Sequence, residues 1–236
     1  MTRKLEVTGV LLLLGSALGS EADGIGYVEE DAVQAVKLLA EDGEALDFFG
    51  ESVSISDHTA LIGARGDDDL GASSGAAYVF VRNGDRWLEE EKLLAEDGAP
   101  AQGFGWSVSN SGDSAVIGSI FATNNGSLTG AAYLFERERG RWEQQAKLLA
   151  NDGEEFDHFG WSVSISDDTV VVGAPFESGE GSSSGAAYVF VRVRGRWSQQ
   201  TKLVARDADM GDQFGYSVAV AGNTAVVGAP FEDERG

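Results

Sequence analysis

Short runs in which apolar and polar residues alternate recur along the chain and are separated by turn residues. The run SVSIS at 52–56 places Val53 and Ile55 on one side and serines on the other, which is typical of a β-strand with one buried face. A two-residue step, Asp57-His58, leads into the apolar run TALIGA at 59–64. The two runs therefore predict a tight antiparallel hairpin.

A second hairpin follows after a longer connection. The run AAYVFVR at 76–82 precedes Asn83-Gly84, a pair that suits a type I′ turn, and a further strand is predicted from Trp87 to about Ala95. Four consecutive strands form an antiparallel meander. Since alternate connections of a meander lie at opposite ends of the sheet, the two longer loops of each unit are expected to share one face.

This pattern repeats every 55 residues without an insertion. The units are predicted at about 37–91, 92–146, 147–201 and, as a partial copy, 202–236. Three series of residues keep the interval: Phe49-Gly50, Phe104-Gly105, Phe159-Gly160 and Phe214-Gly215; Lys37, Lys92, Lys147 and Lys202; Asp42, Asp97, Asp152 and Asp207. Repeated four-stranded meanders of this length predict an all-β fold, a β-propeller whose blades are four-stranded antiparallel sheets.

The same residues carry a resemblance to a known family. FGWSVSISDDTVVVGAP followed by GAAYVF resembles the FG-GAP repeat of integrin α-subunit propellers, and the KLLA-x-DG-x-x-x-D-x-FG units are similar to those of secreted bacterial and archaeal proteins. The resemblance covers residues 37–236 and implies a propeller that acts in binding or adhesion. Integrin repeats often place an Asp-rich calcium loop between the FG and GAP strands, but only two residues lie there in this chain. Calcium is therefore not implied by the resemblance alone.

The number of blades is open at this point. Gly24-Ile25-Gly26-Tyr27-Val28 is similar to GAAYV and leads into Val36-Lys37-Leu38-Leu39. The N-terminal strands are thus expected to complete the partial fourth unit and close a four-bladed ring. The alternative is that the units form part of a larger propeller.

The first nineteen residues are predicted to be a secretory signal peptide, followed by the propeller domain at 20–236. Arg3 and Lys4 precede the apolar stretch Val7–Leu14, which ends in small residues. The stretch is shorter than the roughly 20 apolar residues that a spanning helix needs, so no membrane span is expected. The protein is predicted to be secreted or displayed at the cell surface.

Acidic residues dominate the charge, since the formal net charge is −22 at pH 7. This excess argues against nucleic acid as a partner. Carboxylates concentrate in the longer loops, where they are candidate ligands for Ca²⁺: Asp67, Asp68, Asp69, Asp157 and Asp212. The periodic series from Asp42 to Asp207 is instead interpreted as fixing loop turns. An acidic surface that keeps the protein hydrated at high salt is a further alternative.

Aromatic residues following the FG pair give a second candidate site. Trp106, Trp161 and Tyr216 lie on the long-loop side and are candidates for contacting a protein or glycan partner, although burial in the core is the favoured interpretation. The FG phenylalanines are expected to wedge between blades. Asn125 begins the sequon Asn125-Gly126-Ser127 and is a candidate glycosylation site.

No catalytic residue is predicted. The chain has no cysteine, and its two histidines, His58 and His158, occupy different repeat positions and are interpreted as exposed turn residues. It contains no HExxH or P-loop motif. The favoured hypothesis is a secreted binding or adhesion module that uses an acidic long-loop face, with calcium as a candidate cofactor. The alternatives are a hydrolase-associated or enzymatic propeller, and a structural surface protein.

Overall fold

The computed structural model describes residues 36–179 and 181–232, which contain strands and turns but no helix. No helix capable of crossing a membrane is therefore found in this part of the chain. The predicted signal peptide at 1–19 and the Tyr27-Val28 strand lie outside the described residues.

The strands form three four-stranded antiparallel sheets and one two-stranded sheet that follows them. The first sheet contains β1 (Val53–Ser56), β2 (Thr59–Ala64), β3 (Ala76–Asn83) and β4 (Arg86–Leu93). The second contains β5 (Ser107–Ser111), β6 (Ser114–Ser119), β9 (Ala131–Glu138) and β10 (Arg141–Leu148), with a short hairpin of β7 (Thr123–Asn124) and β8 (Ser127–Leu128) inserted in its loop. The third contains β11 (Ser162–Ser166), β12 (Thr169–Ala174), β13 (Ala186–Val193) and β14 (Arg196–Leu203), and the last pair is β15 (Ser217–Ala221) and β16 (Thr224–Gly228).

The predicted meander is confirmed, with one correction to a turn. Asp57-His58 connects β1 to β2 as expected. The second turn lies one residue later than predicted, because Asn83 pairs with Arg86 and leaves Gly84-Asp85 in the turn. Gly84 has a positive φ and Asn83 does not, so the pair of left-handed residues predicted at Asn83-Gly84 is wrong.

The hydrophobic core lies between successive sheets. Phe104 lies in one cluster with Leu61 and Val79 of the first sheet, and Phe159 contacts the second and third sheets in the same way. Both rings are fully buried and meet a tyrosine of the following sheet edge-to-face, at centroid distances of 5.4 Å. The expectation that the FG phenylalanines wedge between sheets is therefore confirmed for Phe104 and Phe159.

Main-chain atoms of neighbouring sheets meet along a seam. The hydroxyl of Ser52 donates to the carbonyl of Gly105 over 2.8 Å, and Ser107 and Ser162 make the same bond to Gly160 and Gly215. A Cβ built on Gly63, Gly118 or Gly173 would overlap the same glycine carbonyls. The seam thus requires glycine in the second strand of the sheet, which explains the glycine of the GAP element.

The stack of sheets is not closed into a ring among the described residues. Val53 and Ile55 on β1 are 48% and 56% exposed, whereas their counterparts Val163 and Ile165 are 8% and 5% exposed. At the other end, Val226 on β16 is exposed while Val171 on β12 is buried. The fold is that of propeller blades stacked side by side. Of the N-terminal segments predicted to close it, residues 36–39 are described and form no strand, and the predicted Tyr27-Val28 strand lies outside the described part.

Candidate binding face

The longer connections gather at one end of the sheets, as the meander predicted. We call this end the loop face; it comprises residues 40–52 and 65–75 and their counterparts in later units. The two connections touch in the first unit, where the Gly66 N–H donates to the Asp47 carbonyl over 2.9 Å. Side chains from both connections therefore form one surface.

A lysine holds the two connections together in the first unit. Lys92 Nζ lies 2.8 Å from Asp42 and Asp67 carboxylate oxygens and 2.6 Å from an Asp69 oxygen. The Tyr78 hydroxyl lies 2.9 Å from carboxylate oxygens of both Asp42 and Asp67, and its single proton is donated to one of them at a time. Burial alone would lower the pKa of Lys92, but the three carboxylates outweigh it and raise that pKa.

The lysine–aspartate pair recurs in the next two units. Lys147 binds Asp97 and Lys202 binds Asp152, each over 2.7 Å. Burial would raise the pKa of Asp152, but the hydrogen bond from Lys202 prevails and lowers that pKa. In the third unit Glu177 takes the place of Asp67 beside the lysine, whereas the second unit has Ala122 there.

A second series of carboxylates is buried in the loops. Asp157 accepts the Glu154 N–H over 2.7 Å, and Asp212 accepts the Asp209 N–H over 2.6 Å. Each closes a turn across three residues. Burial raises the pKa of Asp157 to about 6 against the Glu154 hydrogen bond, which lowers it, and the nearby Glu177 carboxylate adds to the rise.

Aromatic rings form a row along the same face. Trp106 and Trp161 have centroids 5.1 Å apart, and Trp161 and Tyr216 are 5.4 Å apart. The first unit interrupts the row, because Glu51 stands at the corresponding position and pairs with Arg65 over 2.6 Å. The Arg65 guanidinium lies over Trp106 at 4.9 Å, so a cation extends the row at that end.

Comparison with known proteins identifies the repeat. A family profile of the FG-GAP repeat matches residues 32–80, 87–135, 142–190 and 197–236. The chain belongs to the FG-GAP repeat family. Each complete FG-GAP match after the first starts on the outer strand of one sheet and ends in the third strand of the next, so the repeat unit is offset from the sheet.

Other comparisons add little to the FG-GAP assignment. No curated protein matches the chain. Among solved structures, the crystal structure of Saccharomyces cerevisiae Sqt1 is similar at 12% identity and a TM-score of 0.42. The alignment covers 70% of this chain and 38% of that one, so the chain spans well under half the length of that protein.

The structure separates the predicted metal ligands. Asp67 and Asp69 meet at Lys92, whose ammonium group occupies the space between their carboxylates, while Asp157 and Asp212 close turns in different FG-GAP units. Within the described ranges, no cluster of three or more His, Cys, Asp or Glu side chains is arranged to hold a metal ion. Calcium binding at these positions stays a prediction.

Two interpretations of individual residues change. His158 is only half-buried rather than exposed, and its ring packs against Phe121, Phe176 and Trp161. The Asp42 series binds lysines of the outer strands, a role that the turn-fixing interpretation missed. Asn125 lies exposed in the turn between β7 and β8, and its glycosylation stays a prediction.

Exposed apolar side chains on the loop face were not identified from the sequence. Leu46 is 76% exposed and Phe156 is 54% exposed, and both have a positive φ. They occupy the same position in the first and third units, where the second and fourth have Ala101 and Gly211. The sequence contained one sign of left-handed backbone at this position, which is that Gly211 occupies it in the fourth unit.

Proposed function

We propose that this FG-GAP protein is a secreted binding module and that a protein partner docks on the loop face. The observation that carries the proposal is the pair Leu46 and Phe156, which combine large exposed apolar side chains with left-handed backbone. Both features cost stability, since a left-handed conformation disfavours side chains and exposed apolar surface gains nothing from folding. A contact made in a complex accounts for their presence.

The surroundings of these residues indicate the chemistry of the partner. Phe48, also with a positive φ, is exposed beside Leu46, and the carboxylates of Glu44, Glu154 and Asp68 are exposed on the same loops. Apolar anchors bordered by acidic groups match a protein surface that carries apolar and basic side chains. The partner is therefore proposed to be a basic protein or peptide.

A glycan platform is less well supported by the same face. Saccharides stack on free aromatic ring faces, but Trp161 contacts Trp106, Tyr216, Phe176 and His158. Its ring is thus half-buried in a cluster of the protein's own side chains. Tyr216 is the most exposed member of the row.

The test uses substitutions that remove the apolar groups without disturbing the fold. Leu46→Gly and Phe156→Gly introduce the residue that already stands at 211, so we expect the melting temperature to be unchanged or raised. Binding to an immobilised panel of peptides rich in Lys, Arg, Leu and Phe should fall at least tenfold in the double variant. Salt should weaken the wild-type interaction.

Ala101→Gly in the second unit is the matched control, because it makes the same backbone change where no large side chain is lost. It should leave binding unchanged. Equal binding by the wild type and the double variant would refute the proposal, and binding confined to a glycan panel would favour a glycan partner instead.

Binding of Ca²⁺ by carboxylates of the loop face is a separate part of the proposal. If loop carboxylates bind Ca²⁺, the melting temperature rises with micromolar to millimolar CaCl₂ and falls with a chelator. A matched titration with NaCl measures the contribution of screening alone. An identical response to both salts would contradict calcium binding and favour the hydration role of the acidic surface.

A further inference from the structure

A groove of about 280 Å³ lies between the outer strands of the second and third sheets. It is located beside the turn between β13 and β14, at the end of the sheets opposite the loop face. Its walls come from β9, β10 and the start of β14, and they comprise Glu136, Gln145, Ala146, Gly195, Arg196 and Trp197. The groove is therefore separate from the surface proposed above to bind a protein partner.

The equivalent position between the first and second sheets is filled by two carboxylates of the protein itself. Trp142, the counterpart of Trp197, donates its indole N–H to Glu90 over 3.0 Å and its main-chain N–H to Glu91 over 2.9 Å. The Arg137 guanidinium lies 3.2 Å from the same Glu90 carboxylate. Trp142 is buried, and both of its N–H groups have an acceptor. This arrangement shows how carboxylates are bound between two neighbouring sheets.

Neither carboxylate is present between the second and third sheets. Gln145 and Ala146 stand at the positions of Glu90 and Glu91. Gln145 is exposed, and its amide group donates weakly to the Glu143 carbonyl of its own strand, over 3.5 Å. The groove is thus open where its counterpart is occupied.

Trp197 therefore keeps two N–H groups without an acceptor. Its indole nitrogen is buried and has no hydrogen-bond partner. Its main-chain N–H points away from β13, because Arg192, the residue paired with it, donates its own N–H to the Asp168 carbonyl on the other side. No described residue accepts the Trp197 main-chain N–H. An unpaired buried donor costs stability, so an acceptor supplied from outside gains that energy on binding.

The charges of the groove favour an anion. Arg196 lines the groove and has no ion-pair partner among the residues that the structure describes. Glu136, the acid in the wall, is already bound by Arg192 of the third sheet. The negative charge of the wall is thus neutralised, while the Arg196 guanidinium stays free.

We propose that this groove binds a carboxylate group, which accepts both N–H groups of Trp197 and pairs with Arg196. The two oxygens of a carboxylate can accept two donors at once, and a guanidinium strengthens the contact. The volume admits a small organic acid or the acidic side chain of a peptide. Both carry the same group, and the test distinguishes them.

The indole N–H signals of the full-length protein in a ¹H–¹⁵N NMR spectrum report binding directly. The chain has five tryptophans, and Trp197→Phe identifies the signal of Trp197. The protein is titrated with sodium succinate and, separately, with the blocked peptide acetyl-Gly-Glu-Gly-amide. We expect the Trp197 indole proton to move downfield and to saturate in the millimolar range, as is usual for so small a ligand. The Trp142 signal should not move, because Glu90 already accepts that N–H.

Gln145→Glu is the decisive variant, because it places a carboxylate where Glu90 stands in the preceding unit. Its Trp197 signal should lie at the shifted position without any ligand, and its affinity for succinate should fall at least tenfold. Glu90→Gln is the converse control. It removes the acceptor of the Trp142 indole, so the Trp142 signal should become sensitive to succinate.

The outcomes separate the two sources of the carboxylate. A response to succinate alone supports a free organic acid as the ligand, whereas a response to the peptide alone supports an acidic segment of a protein. Absence of a shift with both would overturn the proposal, as it would if the Gln145 amide oxygen turned to accept the indole N–H. An equal shift with sodium chloride would also overturn it, because screening alone would then be the cause. Unchanged succinate affinity in Gln145→Glu would exclude this groove as the binding site.

Discussion

At Gly118 the main chains of two sheets approach more closely than any side chain would allow. A Cβ at this position would overlap the carbonyl oxygen of Gly160, which belongs to the next sheet. The neighbouring Ser107 hydroxyl donates to that same carbonyl. Glycine is thus required by contact with another sheet, since the backbone of Gly118 itself is not left-handed.

Gly118→Ala is therefore expected to lower the free energy of unfolding by about 3 kcal/mol, the upper end for an overpacked interior. Gly126→Ala is the control, because nothing lies within 4 Å of its added Cβ and only its positive φ opposes the change. That variant should lose about 1 kcal/mol. Chemical denaturation measures both; equal losses would show that the contact between sheets is unimportant.

Asp157 makes stability depend on pH in a defined direction. Burial raises its pKa to about 6 in the folded protein, above the ordinary aspartate value of 3.8. The folded state therefore binds more protons than the unfolded state between these two values, so the contribution of this group to stability falls as pH rises from about 4 to 6. Above that window the contribution is constant.

Asp157→Asn removes the charge and keeps an acceptor for the Glu154 N–H, as the amide of Gln102 occupies the same position in the second unit. Relative to wild type, the variant should gain about 3 kcal/mol between pH 4 and 6 and then remain constant. Melting curves across pH 3.5–8 measure the difference. Glu138→Gln at an exposed position is the control, and a gain that is independent of pH would contradict the argument.

Among the structural elements, the outermost strands hold the loops in place, because their lysines bind loop carboxylates. Lys92 on β4 joins Asp42 in one connection to Asp67 and Asp69 in the other, and Asp67 is buried. Lys147 on β10 binds only exposed Asp97 and the Thr123 carbonyl, because Ala122 replaces the buried acid. The same lysine thus has different importance in two otherwise equivalent sheets.

Lys92→Met should lower the free energy of unfolding by about 3 kcal/mol, since it leaves the buried Asp67 carboxylate without a counter-charge. Lys147→Met should cost less than about 1 kcal/mol, as is usual for an exposed pair. Urea unfolding of both variants provides the comparison. A loss of similar size in both would mean that burial of Asp67 is not the cause.

These elements also show how far the sequence could be interpreted. Alternation in SVSIS and the 55-residue period were sufficient for the strands, the meander and the common loop face, because each depends on local pattern. The binding of Lys92 to Asp42 was not foreseen, since it joins the outermost strand of a sheet to the connection that enters the sheet, fifty residues earlier in the chain. The backbone of Leu46 was missed for a different reason: a positive φ leaves no trace in a leucine, and only Gly211 at the equivalent position indicated it.

At the scale of the whole molecule, stability depends on whether Ser217 and Gly228 of the last sheet contact another sheet. Gly228 meets no atom of another sheet within the described residues, and its added Cβ would overlap only its own neighbour, the Ser217 hydroxyl. A closed ring would bring the carbonyl of Gly50 to this position. The tolerance of Gly228 to substitution therefore reports the state of the ring.

An added Cβ at Gly228 or Gly118 would also overlap the hydroxyl of Ser217 or Ser107. The cost of each glycine substitution is therefore measured in a Ser→Ala background. With closure, adding Gly228→Ala to Ser217→Ala should cost about as much as adding Gly118→Ala to Ser107→Ala, about 3 kcal/mol. Thermal and urea unfolding of the two pairs give the costs. Full tolerance at Gly228 would indicate an open stack.

The glycine–serine seam has a consequence for variation between copies of the unit. The sheets are joined through main-chain carbonyls, a hydroxyl and buried rings, and Leu128 and Thr129 accept N–H groups of Phe156 and Phe159 from the next unit. The exposed turn at Asn125-Gly126, by contrast, takes no part in these contacts. The second unit demonstrates this freedom: its connection has exchanged acids for IFATNNGSLT and gained the β7–β8 hairpin, yet the Ser107–Gly160 bond is preserved. Foreign peptides grafted between Thr123 and Leu128 should therefore be displayed without altering the packing of the sheets. The chain could in this way carry engineered recognition loops.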